Sequence, residues 1–174
     1  MPAPAVTGTV IAMTQPDKRR YAIDLMAPLD PHRSTRGDIR PLADDDRDSL
    51  AQLMLDAYAG TIDYEGESIV EAREAVDDWF SDAPLLGHSF GAEMDGHLVS
   101  AVLAMTLDDA PFIAIVMTAP EYKGNGLGRA VVAASLESLR KEHHGTVTLY
   151  TTEGNIPSER LFASLGAVEI ADLR

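Results

Sequence analysis

The 174-residue chain contains no cysteine. Disulfides, thiolate metal ligands and a covalent cysteine mechanism are thereby excluded, and no metal is expected. Basic residues are scarce: 14 Lys and Arg stand against 28 Asp and Glu, a net charge of −14 at pH 7. Nucleic acid is not an expected partner, because phosphate binding needs a basic surface. Long apolar runs are missing as well. The uncharged apolar run at residues 110–120 falls far short of the roughly 18 residues that suggest a membrane span, so no membrane partner is expected. The opening MPAPAVTGTVIAMTQ lacks the basic start and apolar core of a signal peptide, which makes the cytoplasm the default location.

The composition itself, 45% hydrophobic without a biased tract or tandem repeat, is that of one globular domain with enough chain to bury a core. Charge is unevenly spread. Residues 38–109 hold 18 acidic and 3 basic side chains, and the rest of the chain is close to neutral. An acidic body attracts cations, whereas the neutral C-terminal third can accept an anion.

Apolar runs at 6–13 and 21–26, separated by QPDKRR, read as a strand pair in an N-terminal extension, residues 1–37, ahead of a main domain at 38–174. Leu50, Leu53, Met54, Ala57 and Tyr58 share one helical face, and Ile69, Ala72, Val76 and Trp79 another. Asp95-Gly96 between two apolar runs signals a hairpin. A second turn at Asp108-Asp109 leads into the buried strand PFIAIVMTAP. A helix with Val131, Val132, Leu136 and Leu139 on its stripe ends at Gly145 as its expected C-terminal cap. A strand at 146–151, a short helix stopped by Gly166 and a last strand at 168–171 follow. The order predicts an α/β fold: a twisted mixed sheet, an antiparallel meander followed by a βαβ crossover, with helices on both faces.

Two motifs compete for the active site. GHSFG at 87–91 matches Gly-x-Ser-x-Gly, and Ser89, Asp108 or Asp109, and His143 or His144 follow in a permitted order for a serine hydrolase. A nucleophile elbow needs a strand before the serine and a helix after it. Pro84 and the Asp95-Gly96 turn leave room for neither, so Ser89 reads as a strand residue. EYKGNGLGRAVV at 121–132 has the context it needs, a strand running in and a helix running out. Its peptide N–H groups would converge at the positive end of the helix dipole, and its glycines let a phosphate come close. It is not a P-loop, because no Gly-Lys-Ser/Thr is present. Only 46 residues remain after Gly128, too few for the rest of a Rossmann domain.

Lys123-x-x-Gly126-x-Gly128 resembles the Gln/Arg-x-x-Gly-x-Gly/Ala pyrophosphate loop of the GNAT superfamily of acyl-CoA-dependent N-acetyltransferases. TVTLYTTEGNIPSERLFASLGAVEI is similar to that family's strand, Asn, short helix and Leu-Gly ending, through Asn155, Leu161, Phe162, Leu165 and Gly166. The resemblance covers residues 38–174. It implies the GNAT fold and direct transfer of an acetyl group from acetyl-CoA to a primary amine, small-molecule or peptide. It implies a diphosphate cradle at Lys123, Gly124, Asn125, Gly126, Leu127, Gly128 and Arg129. The pantetheine arm would lie in a splay between strands 112–118 and 147–151, flanked by Val116, Met117 and Thr118, with Asn155 and Phe162 also toward the cofactor. A homodimer is possible by the same analogy.

The sequence departs from the family at Phe162, where many members carry the Tyr that protonates the leaving thiolate. The usual last strand is also shortened or missing after Ile170. Ser158, four residues before Phe162 on one helical face, and Tyr150 are the candidate acids. Glu65, in a loop with Tyr58, Asp63, Tyr64 and Glu67, is the candidate base. The alternative is a non-catalytic acyl-CoA-binding regulatory module.

Overall fold

The computed structural model of the chain describes residues 18–29 and 37–171. In chain order these form β1 (Lys18–Asp24), β2 (Asp38–Pro41), α1 (Arg47–Tyr58), α2 (Ile69–Ser81), β3 (Phe90–Met94), β4 (His97–Leu107), β5 (Ala110–Thr118), α3 (Leu127–Lys141), β6 (Thr146–Thr152), α4 (Ile156–Ser164) and β7 (Val168–Ile170). The expected strand at 6–13 lies outside the described residues.

The meander is dictated locally. Asp95 and Gly96 take φ of 51° and 77°, and Asp108 and Asp109 take 51° and 61°. Two positive φ angles make the turn type whose twist matches that of the strands it joins. Met94 therefore sits opposite His97, and Leu107 opposite Ala110. Ser68 starts α2 with a reciprocal cap: its Oγ accepts from the Glu71 N–H, and its own N–H donates to Glu71 Oε2 at 2.7 Å. This satisfies two otherwise orphaned donors.

The seven strands form one sheet in the order β2-β3-β4-β5-β6-β1-β7, parallel between β5 and β6 and antiparallel elsewhere. β4 alternates across it. Ala101, Leu103 and Met105 pack under α1 and α2, while Val102 and Ala104 pack under α3. The two faces thus carry separate cores, as a sheet covered on both sides requires. Trp79 of α2 is 2% exposed, and its ring N–H donates to the Ala104 carbonyl at 3.1 Å.

The boundary expected at residue 37 does not separate β1 from the sheet. β1 lies between β6 and β7 and pairs with both, Tyr21 opposite Leu149 and Glu169. Ile23 and Leu25 are buried in the α3-side core. Pairing over such sequence distance is set by tertiary packing, which local periodicity does not report.

The end of α3 also differs from expectation. His143, at φ 66°, takes the left-handed position that was expected of Gly145. Its N–H donates to Arg140 O, and the His144 N–H donates to Leu139 O, the paired bonds of a Schellman cap. His is among the few non-glycine residues enriched in this conformation.

On the far edge, Arg40 of β2 makes a bidentate pair with Asp46 at 2.8 and 2.7 Å and reaches Glu93 at 2.7 Å. Asp46 is buried, and the Arg40 hydrogen bonds hold its carboxyl below the usual range.

Candidate functional site

Backbone pairing stops at two neighbouring places, and together they make the site. The β5–β6 ladder consists of Phe112 opposite Thr148 and Ile113 opposite Leu149. Beyond it the strands part. On its other side β5 carries an extra residue, because Leu103 faces Ile115 while Ala104 faces Ile113. That bulge at Ala114 bends the strand away from the ladder, leaving the half-buried run Ala114, Ile115 and Val116 along the opening.

The second place is the loop into α3. Gly124 and Gly126 take φ of 81° and 80°, conformations open to glycine but strained for side-chain-bearing residues. Gly128 is needed for a different reason, since a Cβ there would lie 3.2 Å from Thr118 Oγ1. The first helical bond runs from the Ala130 N–H to Gly126 O at 3.0 Å. No described acceptor bonds the N–H groups of residues 124–129. They gather at the positive end of a 15-residue helix, the arrangement that suits an anion. Leu127 is buried and anchors the loop in the core.

A cavity of about 360 Å³ opens at the splay. Ile113, Ala114, Ile115 and Val116 of β5, Tyr150, Thr151 and Thr152 of β6, and Asn155, Ser158 and Phe162 around α4 line it. Met54, Leu55, Tyr58, Ala72 and Ala75 close it from α1 and α2, so it reaches both faces of the sheet. Asp63, Glu65, Glu67 and Glu71 bring four carboxylates to the lining against one cation, Lys18. Burial, then the charges of Asp63 and Glu67, raise the Tyr58 phenol above its usual range, so it remains a proton carrier at neutral pH.

Asp63 is locked in place. Thr152 Oγ1 donates to it at 2.5 Å and Asn155 Nδ2 at 2.7 Å, tying the α1–α2 loop to the start of α4. Asn155 Oδ1 accepts from the Ser158 N–H at 3.2 Å, so one side chain caps α4 and holds the loop. Thr151 Oγ1 is buried in the lining with no hydrogen-bond partner among the described residues.

The family model described as the acetyltransferase (GNAT) family matches residues 48–167. The chain belongs to this family. A mycothiol acetyltransferase from Thermomonospora curvata is 36% identical over 104 residues, 59% of this chain and 33% of that protein; the chain spans about a third of the curated relatives it matches. Among solved structures, a GCN5-related N-acetyltransferase from Sphaerobacter thermophilus has a TM-score of 0.71 at 15% identity, covering 88% of this chain and 48% of that one. The PaiA N-acetyltransferase from Thermoplasma acidophilum, solved with coenzyme A, has a TM-score of 0.59 at 18% identity, covering 73% and 86%. At these identities the likeness is one of fold, the mixed sheet with helices on both faces of the GNAT proteins.

Within this GNAT fold the expected site residues fall into groups. Val116, Asn155, Ser158, Phe162, Tyr150 and Glu65 all border the cavity. Met117 turns its side chain into the α1–α2 core, and Thr118 Oγ1 is 2.8 Å from Ser100 Oγ. Lys123 Nζ donates to Ala57 O at 2.9 Å, an anchor at the end of α1. Arg129 Nε donates to Ser164 Oγ at 3.3 Å, joining α3 to α4. Tyr150 leans on Phe112, ring centroids 5.8 Å apart.

Ser89 is no nucleophile: it is fully buried, donates to Leu85 O at 2.9 Å and accepts from the Ala104 N–H at 2.9 Å. Sequence reasoning passed over Ala114, Thr151 and the Asp63 bridge. The bulge and the bridge depend on partners in other strands and loops, and Thr151 lies on a strand whose face toward the cavity was not assigned.

Proposed function

We propose that the protein transfers an acetyl group from acetyl-CoA to a primary amine that enters from the α1–α2 side. The observation that carries this reading is the parting of β5 and β6 beside a loop of unbonded amides. One accommodates the pantetheine arm, and the other accommodates the diphosphate. In this reading residues 124–129 hold the diphosphate by their N–H groups, with Gly124, Gly126 and Gly128 keeping the approach clear. The open edge of Ala114, Ile115 and Val116 offers backbone groups to the arm, as an added strand would. The Thr151 hydroxyl meets the arm from β6.

The acceptor arrives as an ammonium ion with a pKa of about 10, and the carboxylates of Asp63, Glu65, Glu67 and Glu71 favour it electrostatically. One of them, directly or through water, takes the proton. The neutral amine then attacks the thioester carbonyl, a β5 N–H stabilises the developing oxyanion, and the carbon–sulfur bond breaks. Phe162 cannot protonate the departing thiolate. Ser158, one turn earlier on the cavity wall, is the proposed donor, with Tyr150 as its rival.

Because the chain has no cysteine, a thiol-reactive dye reports released CoA without background from the protein. Amine-dependent thiol release with a panel of small amines and N-terminal peptides supports the reading. Binding of acetyl-CoA with no release from any amine would support the regulatory module instead.

A further inference from the structure

At the opposite end of α3 from the glycine loop, His88, Glu142 and His144 bring one ligand atom each to within 4.8 Å of one another. The 15 residues of α3 put this cluster roughly 20 Å from the glycine loop. Ser138 Oγ lies 3.2 Å from Gly87 O and 2.7 Å from His88 Nδ1, so the Nδ1 edge of the ring is held by α3.

The other edge presents Nε2 to Glu142 Oε2 at 3.1 Å, and a second imidazole stands beside the pair. His144 stands edge-on to His88 with ring centroids 6.1 Å apart, brought there by the left-handed His143 and the His144 N–H bond to Leu139 O.

We propose that His88, Glu142 and His144 bind a divalent transition-metal ion of the zinc class. Two imidazoles and one carboxylate are the donor set for such an ion, whereas calcium and magnesium require more oxygen ligands. The contact of Nδ1 with Ser138 Oγ orients the ring so that Nε2 would face the metal, the support that metal-bound histidines ordinarily have. The cation would also sit at the negative end of the α3 dipole. His88 is buried, Glu142 is exposed and His144 is half-buried, so two ligands can adjust around one rigid donor. The ion would staple the turn before β3 to the end of α3, with a fourth position open to water or another ligand.

The test uses the tag-free full chain, stripped with chelator and titrated with Co²⁺, read by visible absorption, and with Zn²⁺, read by calorimetry. The expected result is one equivalent bound with the intense absorption of a four-coordinate site. His144→Ala and Glu142→Gln should each weaken Zn²⁺ about tenfold or more, while His97→Ala, at the β3–β4 hairpin, leaves it unchanged. Both ligand variants alter side chains outside the core and should match the wild-type melting temperature in chelator. No saturable binding by the wild type, or wild-type affinity in both ligand variants, overturns the proposal and leaves His88 and Glu142 as a polar contact between the turn before β3 and the end of α3.

Discussion

Replacing Gly126 by valine separates the conformation of the phosphate loop from its binding role. Gly126 caps α3 at φ 80° and ψ 4°, where a side-chain-bearing residue costs about 1–2 kcal/mol and a β-branched one somewhat more. Against a stability of about 5–15 kcal/mol for an ordinary domain, the variant stays folded, with a melting temperature lowered by about 2–4 °C per kcal/mol. Binding should suffer far more. If two charge-assisted hydrogen bonds from residues 124–129 to the diphosphate are lost, at about 1.5–3 kcal/mol each, affinity falls by about 3–6 kcal/mol, or roughly 10²- to 10⁴-fold. Calorimetric titration with CoA reads the affinity, and scanning fluorimetry reads the stability. Gly96→Val is the control: Gly96 has φ 77° in the β3–β4 hairpin and open space around it. It should lose comparable stability and bind CoA normally. If Gly126→Val binds CoA within about threefold of wild type, the diphosphate does not rest on this loop.

Other perturbations test other parts of the account. Ser158→Ala should lower kcat by about 10²-fold or more with little change in CoA affinity; if Tyr150→Phe does so and Ser158→Ala does not, the proton donor is Tyr150. Asp63→Ala removes the acceptor shared by Thr152 and Asn155 and should raise KM for the amine more than for acetyl-CoA, so an unchanged amine KM would remove Asp63 from the acceptor side. Ile23→Ala, at 1% exposure, should cost about 2–5 kcal/mol in denaturant unfolding, whereas a loss below about 0.5 kcal/mol would mean that β1 is a loose appendage. Asp46→Asn should cost about 2 kcal/mol near pH 7. The folded carboxyl titrates below its unfolded value of about 3.9, so its stabilisation is present above that pH and fades as pH falls through the folded value. A gap between variant and wild type that persists undiminished at pH 2 contradicts that origin.

What the sequence made legible was the part written in neighbouring residues. Asp95-Gly96 and Asp108-Asp109 announce their turns because few other residues accept two successive positive φ angles. Gly124, Gly126 and Gly128 announce the loop because a strand and a helix flank them. Ser89 was rejected by the same test of context, and its burial agrees. What stayed hidden was non-local. β1 joins β6 and β7 through residues more than a hundred positions away, and nothing in KRRYAID specifies that partner. Composition points to Gly145 as the left-handed residue closing α3, yet the chain turns two residues earlier at His143, where the Schellman bonds close first. His88, Glu142 and His144 are brought together by that same turn, and 54 residues of chain separate the first from the second, so no spacing rule would have grouped them. Composition marks Glu65 in the acidic loop, and both it and Asp63 line the cavity; that Asp63 is immobilised rests on bonds to β6 and α4 that sequence cannot display.

A crystal structure of the chain grown with coenzyme A tests the central claim most directly. The account predicts diphosphate oxygens about 2.7–3.2 Å from main-chain nitrogens of residues 124–129, with the pantetheine arm running between β5 and β6 past Ala114 and Thr151. A diphosphate held elsewhere, or an arm that leaves the splay between those strands untouched, contradicts it.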